Sequence, residues 1–160
     1  MKISTRGEYG IRAMLYIATA AGEHPVTSHE IAREQAIPEP YLRQILALLA
    51  KDRLIQSNRG PQGGHILARP ASAITLRDIL ITLEGQTTSI DQILALPCSI
   101  HIGTEHCAIR EVFLQVKEAV DTILTGTSLA DLAARQQHIL REDLHVPFQL
   151  GHTCLPVVRE

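Results

Sequence analysis

The chain has no tryptophan, and aromatic residues make up only 3% of its 160 positions. Leu, Ile, Val and Ala must therefore fill its core, and an apolar content of 45% is ample for that. No run of eighteen apolar residues occurs, so no membrane span is expected. The opening Met1-Lys2-Ile3-Ser4 leads into a patterned helix and not into a signal peptide, so residence in the cytoplasm is the expectation. Three cysteines, an odd number, argue against a disulfide framework. In a reducing cytosol such thiols are free, reactive or metal-bound. There is no Cys-x-x-Cys pair, no phosphate loop and no nucleophile elbow. Nothing therefore marks the chain as an enzyme, and neither an internal repeat nor a low-complexity segment complicates the reading.

A net charge of only −2 looks poor for a partner of nucleic acid, but its distribution is uneven. Residues 1–70 carry nine Lys/Arg against six Asp/Glu, and residues 71–160 carry six against eleven. Such an asymmetry suits a DNA-binding module joined to an acidic partner domain.

The basic half ends in Ser57-Asn58-Arg59-Gly60-Pro61-Gln62-Gly63-Gly64-His65-Ile66-Leu67. Apolar pairs flank a glycine-rich tip, which reads as two short strands joined by a hairpin. Glycine at such a tip allows backbone to approach another surface closely. Arg59 there could enter a minor groove, where negative potential favours Arg, or it could be an ordinary solvated hairpin residue.

Three helices are expected before the hairpin. Thr5-Arg6-Gly7-Glu8 reads as a capping box that opens the first, with Tyr9, Ala13, Met14, Tyr16 and Ile17 at helical spacing. Thr27-Ser28-His29-Glu30 reads as a second box. Ile37-Pro38-Glu39-Pro40 is the turn, and Pro40 fits the first turn of a third helix running to about Lys51. Leu42, Ile45, Leu46 and Leu49 form its apolar face. Gln44 lies opposite, flanked by Tyr41 and Arg43. A short helix, a tight turn and a helix with polar groups near its start make a helix-turn-helix. Arg43 could pair with guanine and Gln44 with adenine, or the outer face could simply be solvated. A basic hairpin placed directly after these helices favours DNA.

Beyond the hairpin, Thr75 caps a helix through Leu83. Residues 86–107 are polar, broken by Pro97, and hold Cys98, His101, His106 and Cys107. A long amphipathic helix spans about 108–125, its stripe close to a heptad seam. Ser128 caps one more helix, and residues 141–160 read as an irregular tail. The fold class expected is mainly α: a winged helix-turn-helix over 1–70 with a two-stranded wing, then a sensor loop and a long dimerisation helix within 71–140.

Five segments now carry a resemblance: Met1 to Tyr9, Pro40-Tyr41-Leu42-Arg43-Gln44, Arg59 to Gly64, Ile74 to Ile79 and Thr127 to Leu132. Together they cover roughly residues 1–138, and the chain resembles the Rrf-two family of bacterial transcription regulators. The resemblance implies a homodimer whose long helix crosses its twin and whose two winged helices read double-stranded DNA at a palindromic operator. It implies DNA contacts from Ser28, Tyr41, Arg43, Gln44, Arg59 and Gly63. The position of Arg43 is acidic in one cluster-binding member, so the base preferred there differs.

Cluster-binding members carry three Cys before the long helix and a fourth ligand elsewhere. Here the pattern is Cys98-x2-His101-x5-Cys107, with the first spacing contracted and His101 in the middle slot. Where one member has a His ligand, this chain has Arg110, which cannot ligate. Some members use an acidic residue at the position of Glu8, so Glu8 is the candidate fourth ligand, and its capping box is the competing explanation. His106 is an alternative to His101, and Cys154 could take part only if the tail folds back. The implied cofactor is an iron–sulfur cluster of the 2Fe–2S type. The same cysteines could instead form a thiol–disulfide switch or bind zinc. The alternative within the family is a cluster-free repressor of cysteine and sulfur metabolism, controlled by a partner protein or by cysteine oxidation.

Overall fold

Helix α1 (Thr5–Ala20) lies at the centre, and most other elements are laid against it. The computed structural model describes residues 3–20, 24–58, 60, 63–85 and 108–141. Ala13, Met14 and Ile17 on the inner face of α1 are fully buried. Two glycines of α1 let the last turn of another helix come close. A Cβ at Gly10 would fall 2.0 Å from Leu83 Cδ1, and one at Gly7 would fall 2.1 Å from Glu84 Oε1.

The start of α1 departs from the expected capping box. Ser4, not Thr5, is the cap: its carbonyl accepts from the Glu8 N–H at 3.0 Å, and its hydroxyl accepts from the Gly7 N–H at 3.3 Å. The acid that completes the cap comes from far along the chain. Glu84 Oε1 accepts from the Ser4 N–H at 3.0 Å and from the Ser4 hydroxyl at 2.9 Å. Glu8 is thereby released from any capping role.

Helix α2 (Ser28–Glu34) is capped by Thr27, whose hydroxyl accepts from the Glu30 N–H at 3.2 Å. The Glu30 side chain does not return to the cap as expected. It accepts from the Tyr16 hydroxyl of α1 at 3.1 Å, and burial together with this carboxylate raises the Tyr16 pKa. Helix α3 (Glu39–Lys51) starts one residue earlier than Pro40, with Pro38 at its cap. Its stripe is as expected: Leu42, Ile45, Leu46 and Leu49 are all buried. Each such side chain contributes about 1.5–3 kcal/mol relative to exposure.

Strands β1 (Ile55–Asn58) and β2 (Gly64–Leu67) pair antiparallel, with Ile55 opposite Leu67 and Asn58 opposite Gly64. A short 3-10 turn (Ala71–Ala73) leads to α4 (Leu76–Glu84), which Thr75 caps as expected, with Asp78 completing a capping box. Helix α5 (Ala108–Gly126) packs on α4, and α6 (Leu129–Arg141) returns to α1. The return is pinned at the junction: the Leu76 N–H donates to the Thr127 carbonyl at 3.0 Å, and the Leu129 N–H donates to the Ile74 carbonyl at 2.7 Å. Ile74 and Leu129 belong to the same buried cluster as Ala13 and Leu46. Among the described residues, no helix is long and apolar enough to cross a membrane.

Candidate nucleic-acid interface

The turn between α2 and α3 is built on a residue that is not glycine. Ala36 stands at φ 50°. The Ile37 N–H donates to the Ala32 carbonyl at 2.9 Å, and the Ala36 N–H donates to the Arg33 carbonyl at 3.3 Å. That is a Schellman termination, with buried Ile37 and Ala32 as its hydrophobic contact. Arg12 fastens the turn to α1, donating to the Gln35 carbonyl while its guanidinium lies 5.6 Å from the Tyr9 ring centroid. The α2–α3 angle is therefore set by α1 as well as by the turn.

On α3, Arg43 and Gln44 are exposed, as a base-reading pair requires. Arg43 is already engaged: its guanidinium donates to Glu39 Oε1 at 2.6 Å. His29 of α2 holds the other oxygen of Glu39 at 3.2 Å. Arg43 first, then His29, keeps the Glu39 carboxyl below the usual carboxylate range. Tyr41 is half-buried, its ring edge-on to Tyr9 with centroids 6.0 Å apart, so much of it serves the α1–α3 contact. Glu39 and His29 were not singled out from the sequence. Their i,i+4 and cross-turn placement becomes meaningful only once the start of α3 is known.

The wing is joined to α2 more tightly than a free hairpin would be. Val26, just before α2, pairs with β2: its N–H donates to the His65 carbonyl at 3.0 Å, and the His65 N–H donates to the Val26 carbonyl at 2.7 Å. Gly64 makes this approach possible, because a Cβ there would lie 2.8 Å from both the Pro25 carbonyl carbon and the Val26 oxygen. At the tip, the Gly63 N–H donates to the Gly60 carbonyl at 2.9 Å, and Gly60 has φ 117°. The His65 side chain adds two links: Nε2 lies 2.9 Å from Ser28 Oγ, and Nδ1 lies 2.9 Å from Ser57 Oγ. Burial pushes the His65 pKa down. The structure thus ties Ser28 to both strands of the hairpin through the His65 side chain, with Val26 paired to β2. Arg59 lies outside the described residues.

Of the candidate metal ligands only Glu8 is described; Cys98, His101, His106, Cys107 and Cys154 lie outside the described residues. The Glu8 side chain is 61% exposed, with Arg12 at 3.6 Å. Among the described residues, no group of three or more His, Cys, Asp or Glu could hold a metal ion.

A helix-turn-helix with an attached wing, on a chain carrying the five segments above, meets its counterpart in a family model. That model, Rrf2, described as an iron-dependent transcriptional regulator, matches residues 3–135. The chain belongs to the Rrf2 family. It is a DNA-binding transcription regulator of that family, whose members are not enzymes. Among Rrf2 relatives it is 35% identical to the transcriptional regulator CymR of Bacillus subtilis over 134 residues, covering 84% of this chain and 91% of CymR. The solved structure of that CymR, the global cysteine regulator of B. subtilis, superposes with a TM-score of 0.72 at 34% identity, covering 84% of this chain and 98% of the other. The structure of T. potens IscR superposes with a TM-score of 0.67 at 33% identity, covering 96% and 94%. Similarity to both CymR and IscR fixes the winged fold of this Rrf2 chain and leaves its mode of control to its own residues.

One further feature of this Rrf2 chain belongs with the interface. Ile109, Val112, Val116 and Ile123 of α5 are 66%, 58%, 44% and 65% exposed. They recur at spacings of three, four and seven. Leu124 is the buried residue of this helix, and α4 is the element it packs on.

Proposed function

We propose that the chain works as a homodimer in which α5 packs along α5 of a second copy, and that the paired winged helices bind the two halves of a palindromic operator. The exposed row on α5 carries this reading. Four large apolar side chains at heptad spacing, exposed among the described residues, fit a helix-to-helix seam. In the complex, the N-terminal turns of α3 present Arg43 and Gln44 to the major groove, with Tyr41 beside them. Ser28 and Gly63 approach the phosphate backbone, and Arg59 reaches the minor groove.

Control is assigned to the segment between α4 and α5. The donor set fits an iron–sulfur cluster: thiolates from Cys98 and Cys107, an imidazole from His101, and a carboxylate from Glu8. His106 and Cys154 are the reserves. Glu8 is exposed and free of the cap, and among the described residues it makes an ion pair with Arg12. When bound, a 2Fe–2S cluster with His and carboxylate ligands would supply a redox-responsive centre with exchangeable ligands. The chain's own residues carry the consequence. Glu84, at the end of α4, holds the start of α1 through Ser4, and α1 packs on α3 and β2. A shift next to residue 85 therefore bears on the recognition helix.

A second reading keeps the dimer and the operator but has no cluster. Cys98 and Cys107 then act as a thiol switch, or a partner protein acts in their place. Similarity to CymR, a cysteine regulator, favours it. Purification without oxygen, followed by a visible spectrum and an iron assay, separates the two. Iron and colour in the wild type that are lost in Cys107→Ala support the cluster, whereas a colourless, iron-free wild type eliminates it. For the operator, Arg59→Ala should weaken binding and reduce the salt slope by about one.

A further inference from the structure

Both ring nitrogens of His65 are occupied, and each by a serine. Ser28 Oγ, in the first turn of α2, meets Nε2, and Ser57 Oγ, on β1, meets Nδ1, both at 2.9 Å. The ring is half-buried, and the backbone N–H and C=O of His65 are both bonded to Val26. Burial is what acts on the ring, and it favours the neutral form.

A neutral imidazole has one N–H and one acceptor nitrogen. One serine must therefore donate to the ring and the other must accept. With the proton on Nδ1, the Ser28 hydroxyl hydrogen points inward to Nε2. With the proton on Nε2, Ser28 Oγ accepts from the ring and its own hydrogen is free to point outward, while Ser57 donates to Nδ1. Only the second arrangement lets Ser28 donate to an anion.

We infer that His65 is a positioning residue of the DNA interface, donating from Nε2 to Ser28 Oγ so that the Ser28 hydroxyl hydrogen faces a backbone phosphate oxygen. The inference rests on the reading of Ser28 as a DNA contact. Ser57 completes the relay by supplying the hydrogen that Nδ1 then accepts. The position asks for a side chain with a donor at Nε2 and an acceptor at Nδ1, which is why an apolar ring would not serve.

The test has two arms on the full-length protein. Nitrogen-15 NMR of His65 in the wild type, free and bound to operator DNA, reports the tautomer directly. Nε2 protonated in the complex is the expected result, and Nε2 unprotonated there overturns the inference without any substitution. In the binding arm, Ser28→Ala and His65→Phe should each weaken operator binding about three- to tenfold per half-site. The double variant should be no weaker than either single one. His65→Gln, whose amide nitrogen falls near the place of Nε2, should restore most of the loss. If Ser28→Ala leaves affinity unchanged, Ser28 is not a DNA contact and the underlying reading fails. If Ser28→Ala weakens binding but the His65→Phe loss is absent or simply additive, the positioning role alone is overturned.

Discussion

Replacing Gly64 by Ala tests the union of wing and helix-turn-helix most directly. The new Cβ would stand 2.8 Å from the Pro25 carbonyl carbon, 2.8 Å from Val26 O and 2.9 Å from Pro25 O. All three atoms are backbone, so no side-chain rotation relieves the contact. Either β2 or the Pro25–Val26 segment must retreat by about half an ångström or more. Retreat weakens the two hydrogen bonds between Val26 and His65, each worth about 0.5–1.5 kcal/mol. It also loosens Val26, which is 1% exposed and worth about 1.5–3 kcal/mol when fully buried. Partial relaxation leaves a cost of about 2–4 kcal/mol, or a fall in Tm of about 5–15 °C for a chain of this size. Urea and thermal unfolding read the stability, and operator binding at a temperature where the variant is folded reads the interface. Gly126→Ala is the control, since nothing lies within 4 Å of a Cβ there. A Gly64→Ala protein as stable as the control, with unchanged operator affinity, would refute the argument that this close approach holds the wing in place.

Ala36→Gly should stabilise the protein by about 0.5–1 kcal/mol, because Ala36 stands at φ 50° and only glycine adopts that region without strain; an unchanged urea midpoint would count against it. Val116→Asp places a charge in the α5 row and should raise the dimer dissociation constant by about 100-fold or more, read by sedimentation. A dimer that persists would mean that copies join by another face. Because burial lowers the His65 pKa, the unfolded state binds the proton more readily than the folded state. Stability should therefore fall as pH drops below about 6.5 toward the folded value, and then level off. His65→Gln should flatten that part of the stability–pH profile, and a superimposable profile would refute it.

Features with local causes were legible in the sequence. The stripe of α3 follows from helical spacing, and all four of its residues are buried. Thr75 and Ser128 cap the helices that follow them, because their partners, Asp78 and Asp131, lie three residues on. The strand pairing followed from a short glycine-rich link between apolar ends. What escaped depended on distant residues. Thr5 and Glu8 satisfied the local pattern of a capping box, yet Glu84, eighty positions away, offered Ser4 a carboxylate and moved the cap by one residue. Gly63 is the glycine that the resemblance assigns to DNA contact, while Gly64 is the one pressed against another segment, and only the fold reveals that Pro25 lies there. His65 read as one more hairpin residue because Ser28, its partner, lies 37 positions away.

The same distinction bears on how the proposed interface discriminates between bases. Arg43 does not wait unpaired for DNA; it is bonded to Glu39, which His29 holds in turn. An exposed ion pair of this kind is worth about 0–1 kcal/mol, because both groups remain largely solvated. A bidentate Arg–guanine pair is worth about 1–3 kcal/mol of discrimination. A guanine at the right position can therefore draw Arg43 away from Glu39, whereas a base offering a single acceptor gains little over the bond that must be broken. In the proposed complex Glu39 thus sets a threshold that a bidentate guanine contact exceeds and a single-acceptor contact does not, so the pair at the start of α3 favours selectivity over binding strength.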